Sequence, residues 1–177
     1  MPPWEDEVMA ARSERDRFFA EHYASPLPDT MAEGFSGLAY FPPDPSWRLS
    51  GTYTPTDPRR VEVPSSSGTA SEYTRMGSAT LPMGGRAWTV TVLDDGDGNP
   101  FIPFRDGTSG TETYAGGRYV DLVIEDGGVA VVDFNAARNP WCAYDEEFVC
   151  PLPPPGNTTT VRIIAGERTP DGPGAPG

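Results

Sequence analysis

The spacing of apolar residues changes once along this chain. Over residues 5–23, Val8, Met9, Phe18, Phe19 and Tyr23 recur at roughly helical spacing with Glu and Arg between them, which predicts one amphipathic helix. "SPLP" (25–28) is expected to end it, because Pro26 disfavours helical backbone at Ser25. From Phe35 onward the period falls to two. "WRLSGTY" (47–53) puts Trp47, Leu49 and Tyr53 on one face, and "AWTVTVL" (87–93) sets Trp88, Val90 and Val92 against Thr89 and Thr91. Gly84-Gly85 predicts a hairpin joining that strand to "SATL" (78–81). "YVDLVI" (119–124) and "VAVVDF" (129–134) flank "DGG" as a second hairpin, and "VRIIA" (161–165) reads as a last strand. "RVEV" (60–63), "SEYTR" (71–75) and "FIPF" (101–104) are shorter candidates.

About eight or nine short strands at this spacing predict a mainly β fold. The expected architecture is a single-domain antiparallel β-barrel or β-sandwich with an N-terminal α-helix, over residues 1–168. "TPDGPGAPG" (169–177) has no apolar anchor and reads as a disordered tail, while "PLPPPGN" (151–157) reads as a rigid connector. High Gly (20) and Pro (21) agree with a turn-rich β protein and argue against a helical bundle.

Charge narrows the partners. The net charge is −13, and all 13 basic residues are arginine. So acidic a surface repels phosphate backbones and anionic lipid, which makes nucleic acid and membrane surfaces poor partners. It also fits a GC-rich genome or a salt-adapted cytoplasm. No stretch approaches the roughly 20 apolar residues of a membrane span. The acidic N-terminus has no apolar core of signal-peptide length, so a cytoplasmic protein is expected.

Several chemistries lack their residues. There is no phosphate-binding glycine loop and no G-x-S-x-G elbow. His22 is the single histidine, at the end of a charged helix, where an exposed and inert role is expected. Asp95, Asp97, Asn99 and Asp106 have calcium-loop spacing, but Pro100 stands where the sharp turn wants glycine. An acidic hairpin turn is the expectation, and no metal or cofactor is predicted. Cys142 and Cys150 are too few for a structural zinc and do not form C-x-x-C. Buried thiols are favoured over a disulfide.

Two segments concentrate polar groups. "FRDGTSGTETYAGGRY" (104–119) supplies Asp106, Thr108, Glu112, Thr113, Tyr114 and Arg118, and "DFNAARNP" (133–140) supplies Asp133, Asn135 and Asn139. Asp133 breaks an apolar run, and Arg118 is its obvious partner. Carboxylates beside an arginine can hold an anionic or polyhydroxylated ligand, and two carboxylates can divide acid and base work. The same residues also suit a structural ion-pair and turn-capping network.

These segments, with "PWCAYDEEFVCPLPPPGN", "IIAGER" and "FSGLAYFPPDPSWRL", resemble the prokaryotic domain-of-unknown-function family 1684 from about Arg12 to Arg168. Where that family usually reads "AYNPYCAY", this chain has "ARNPWCAY", so Arg138 and Trp141 replace tyrosines. The resemblance brings no activity, but it places the polar groups and Cys142 and Cys150 inside the family motif. The expectation is a pocket for a small polar or anionic metabolite, with Asp106, Thr108, Tyr114, Arg118, Asn135 and Asn139 as ligand-binding residues. One rival is a hydrolase using Glu112 and Asp133 as acid and base. The other is a structural or interaction protein with no ligand.

Overall fold

The structure, a computed structural model, describes residues 3–170. Helix α1 (Trp4–Glu21) opens it. Glu5, Asp6 and Glu7 fill the first turn, where negative charge favours the positive end of the helix dipole. At the other end the Ser25 hydroxyl donates to the Phe19 carbonyl at 2.7 Å. The apolar stripe is narrower than its spacing predicts: Phe19 is buried, but Met9 and Tyr23 are exposed. Arg12 holds a buried place on the inward face. A single-turn α2 (Asp29–Ala32) follows.

The rest is a mainly β fold, as the alternation predicts. β1 (Arg48–Pro64), β2 (Ala70–Met83), β3 (Arg86–Asp94), β4 (Pro100–Phe104), β5 (Arg118–Asp121), β6 (Val123–Glu125) and β7 (Val129–Asp133) form one antiparallel sheet. Its order is β5-β4-β3-β2-β1-β7-β6. β5 and β6 are consecutive in the chain yet lie at opposite ends of that order. One segment therefore pairs with β4 through its first half and with β7 through its second, and the sheet curls into a half-barrel. Tyr119 and Arg138 exchange backbone hydrogen bonds at 2.8 Å, which ties β5 to the chain just after β7.

Two pairs of predicted strands are single strands here. "WRLSGTY" and "RVEV" are the ends of β1, and "SEYTR" and "SATL" are the ends of β2. Register shifts between Pro55 and Arg59, and between Arg75 and Gly77, interrupt the alternation in the middle of each. The β2–β3 hairpin turns on Gly84 (φ 59°) and Gly85 (φ 80°), left-handed values that glycine supplies at little cost. Gly51 allows β1 to approach β2, since a Cβ there would lie 2.0 Å from the Thr80 carbonyl oxygen.

Inside the curl, Leu81, Val90, Val92, Ile102, Phe104 and Phe134 pack into the main core. Each such side chain contributes roughly 1.5–3 kcal/mol by leaving water. A smaller cluster under α1 joins Phe19, Ala143 and Tyr144.

"VRIIA" is not a strand. Its burial does alternate, with Ile163 and Ala165 inside and Arg162 and Ile164 outside. Its backbone partners, however, are largely side chains: the Ile163 N–H donates to Asp106 Oδ2 at 2.7 Å, and Arg118 donates to the carbonyls of Ile163, Ala165 and Glu167. The proline-rich connector is pinned by Asn157, fully buried, which bonds both backbone groups of Thr91 and the Pro103 carbonyl. At the C-terminal end Thr169 donates to the Glu112 carbonyl at 3.0 Å. Residues 171–177 of the predicted tail lie outside the described residues. No helix among those described is long and apolar enough to cross a membrane.

Candidate ligand-binding cleft

The polar residues singled out by the sequence fall into separate places. Arg118 and Asp106 are fully buried and pair at 3.6 Å. Arg118's partner is thus Asp106 rather than Asp133. The reason is local: Arg118 starts β5 opposite Phe104, next to the turn that carries Asp106. Thr108 donates to the Asp106 carboxylate at 2.9 Å and meets the Thr113 hydroxyl at 2.8 Å. Burial lowers the pKa of Arg118, and Asp106 opposes that shift. These groups replace a neighbouring strand for residues 161–167.

Glu112 is not brought to Asp133 either. It takes a forked bond from Arg162 at 2.7 Å on the outer surface, which holds its carboxyl below the usual range. Glu112 and Asp133 line different depressions, so they do not form the expected acid–base pair. Asn139 is buried, donating to the Tyr144 hydroxyl at 3.1 Å and the Arg168 carbonyl at 2.9 Å. Tyr114 lies 3.7 Å from the sulfur of Cys142. Both cysteines are free and buried. The Cys142 N–H points at the Cys150 sulfur at 3.3 Å. The hydrogen bond between the two thiols lowers the pKa of Cys142 and raises that of Cys150.

The acidic turn closes on itself. Asp94 Oδ1 accepts from the N–H groups of Gly96 and Gly98, and Asp95 Oδ1 from those of Asp97 and Asn99. Among the described residues, no group of three or more His, Cys, Asp or Glu is placed to hold a metal ion. His22 is exposed, with its Nδ1 accepting from the Ala24 N–H at 3.0 Å.

Asp133 and Asn135 reach an open site. A cleft of about 530 Å³ lies between the N-terminal half of α1 and the end of β7. This is within the usual range for small-molecule sites. Trp4, Val8 and Ala11 line it from the helix, and Ala136 and Ala137 from the chain after β7. Asp133 caps the turn that follows β7, accepting from the Asn135 N–H at 2.9 Å. Its other oxygen accepts from the Trp4 indole at 2.9 Å across the mouth. Asn135 is buried and bonds both the N–H and the carbonyl of Asp44.

Three arginines face this cleft: Arg12, Arg15 and Arg48. Arg15 pairs with buried Glu167, which also accepts from the Tyr144 hydroxyl at 2.8 Å. Burial lowers the pKa of Arg15, but Glu167 outweighs that and holds the guanidinium above its ordinary value. Arg12 is 8% exposed and donates to the Phe41 carbonyl at 2.8 Å. Its second contact, to the Asn135 carbonyl, is long at 3.4 Å. It stacks 4.5 Å over the Tyr40 ring. Among the described residues, no carboxylate lies within ion-pair distance of Arg12. Its pKa is lowered by burial, against the weaker pull of Tyr40 and more distant carboxylates. Tyr40 donates to Asp16 at 3.0 Å, and burial beside Glu167 and Asp16 pushes its hydroxyl up.

Trp4, Arg12, Arg15, Tyr40 and Arg48 were absent from the sequence-based set. A signal did exist. Trp4, Val8, Arg12, Arg15 and Phe19 are spaced by three or four residues, so two cations share the inward helix face with the apolar anchors. A cation on that face is out of place unless something meets its charge.

The comparisons agree with this architecture. A solution NMR structure of an uncharacterized protein from Haloarcula marismortui is 38% identical, covers 94% of each chain and superposes with a TM-score of 0.74. The curated proteins gave no match. The family profile described as Protein of unknown function (DUF1684) matches residues 33–168, from just after α2 to the last Arg. α1 lies outside that range, while the sheet, the Arg118–Asp106 network and the Asp133 side of the cleft lie inside it. The chain belongs to the DUF1684 family.

Proposed function

We propose that this protein binds a small anionic metabolite in the cleft beneath α1. One observation carries the reading: Arg12 is buried at the cleft wall, and among the described residues no carboxylate lies within ion-pair distance of it. A buried guanidinium without a carboxylate is costly, and a ligand anion would supply what the fold does not. Arg48, exposed at the same cleft and also without an ion pair among the described residues, provides a second positive group. Asn135, expected as a ligand-binding residue, and Asp133, expected as an acid or base, both line this cleft, which supports the reading. Arg118, Asp106, Thr108 and Asn139 support the fold around it. The acidic surface supports the expectation that nucleic acid and membrane surfaces are poor partners. Nothing favours the carboxylate-pair hydrolase, because Glu112 is tied to Arg162 elsewhere.

A thermal-shift panel of anionic metabolites on the wild type and on Arg12→Met tests the reading. A ligand at about 100 times its Kd stabilises by roughly 2.7 kcal/mol, on the order of 5–10 °C for a domain this size. The wild type is expected to respond and the variant is not. An equal response from both proteins sinks the proposal.

A further inference from the structure

The charged groups at the cleft do not all face the same way electrically. Arg15 and Glu167 neutralise each other. Arg12, Arg48, Glu7 and Asp133 remain without ion partners among the described residues. Two are cations and two are carboxylates, so the unpaired set is electrically balanced. Arg48 and Asp133 even sit directly opposite each other in the β1–β7 ladder, where opposite charges commonly pair. Instead the Asp133 carboxylate turns to the Trp4 indole and Asn135, and Arg48 stays open. Trp4, Val8, Ala11, Ala136 and Ala137 give the cleft an apolar wall, beside the Tyr40 ring.

Building on the anion-site reading, we propose that the ligand is a zwitterion with an apolar body, of the free α-amino acid class. Its carboxylate faces Arg12 and Arg48. Its ammonium faces Asp133, whose Oδ2 accepts one hydrogen bond from the protein and keeps a lone pair. Its side chain lies against Trp4, Val8 and Ala11. A simple anion would add negative charge to a balanced site in a chain of net charge −13. A zwitterion meets both kinds of unpaired group and leaves the balance unchanged. A phosphate or a polyol would leave the apolar wall wet.

Three probes separate the possibilities: phenylalanine, 3-phenylpropionate and 2-phenylethylamine. They share one ring and two-carbon stem, and each analogue lacks one of the two charged groups of phenylalanine. Binding is read by NMR titration of the full chain, following the Trp4 indole N–H, which is assigned with Trp4→Phe. Phenylalanine is expected to move that signal and to bind at least about tenfold tighter than either singly charged analogue, since each lacks one charge contact. Asp133→Asn keeps the turn cap and is expected to bring phenylalanine and 3-phenylpropionate to near parity. The wild-type comparison needs no variant, so it stands whether or not Asp133→Asn folds. Equal binding of 3-phenylpropionate and phenylalanine by the wild type overturns the zwitterion and leaves the anion site intact. If none of the three moves the Trp4 signal, the zwitterion is again overturned. The Arg12-dependent response to the anion panel then decides the broader reading by itself.

Discussion

Arg118 and Arg12 are both buried arginines, and they have opposite surroundings. Arg118 has a buried carboxylate and gives its Nη protons to three carbonyls. Arg12 has two carbonyls, an aromatic face and, among the described residues, no carboxylate at ion-pair distance. The Nε of each lacks a partner, so the contrast lies in the counter-charge. Arg118 sits within a dense run of polar residues, and Arg118 and Asp106 from that run bond the backbone of Ile163, Ala165 and Glu167. Arg12 sits among ordinary helix residues, and among the described residues no carboxylate lies within ion-pair distance of it. A polar cluster in sequence can hold a loop in place, whereas a cation on a plain helix face can be buried without an ion pair.

The comparison can be broken first at Arg118. Arg118→Met should leave Asp106 buried and unpaired and release three carbonyls. The expected cost is about 3–5 kcal/mol, and a melting temperature lower by on the order of 10 °C. Arg12→Met is the counter-experiment. It removes an unpaired buried charge and keeps the volume, so it should cost no more than about 1 kcal/mol. Urea unfolding of the two variants in parallel decides this, and equal losses would erase the distinction. Trp4→Phe sharpens the cleft side: it keeps a ring but deletes the bond to Asp133, for an expected loss of about 1 kcal/mol.

The smallest effect concerns Glu112, the carboxylate moved out of the proposed site. Arg162 holds its pKa below the model-peptide value of 4.5. A depressed carboxylate adds stability above the unfolded pKa, and that stability is lost as pH falls through the folded value. Arg162→Gln should return the Glu112 titration, followed by carboxyl NMR, towards its ordinary value. The two proteins should differ slightly in stability above about pH 4.5 and converge below it. An unmoved titration would mean that Arg162 does not hold Glu112.

Much of the sheet was legible because β3 sets Val90 and Val92 inward against Thr89 and Thr91, β7 is a short apolar run buried through its middle, and Gly84-Gly85 names its own turn. β1 and β2 were read in halves because register shifts cancel the alternation where the strands are longest. "VRIIA" has the burial pattern of a strand, but pairing with Asp106 and Arg118 is a tertiary event that no local pattern encodes. The cleft was half legible. Asp133 announced itself by interrupting apolar residues, whereas Arg12 and Arg15 looked like the solvent face of α1 until the helix was docked. Glu112 and Asp133 are carboxylates from separate segments, and composition alone cannot place them on different surfaces.

The continuous run from Arg118 to Glu125 completes both ends of the sheet. If it detaches, the outer backbone groups of β4 and β7 become bare together, and two sticky edges appear in a single event. Protection against deuterium exchange in β4 and β7 should therefore be lost in step, as one cooperative unit. For this fold, resistance to edge-on aggregation rests on the attachment of that one short segment.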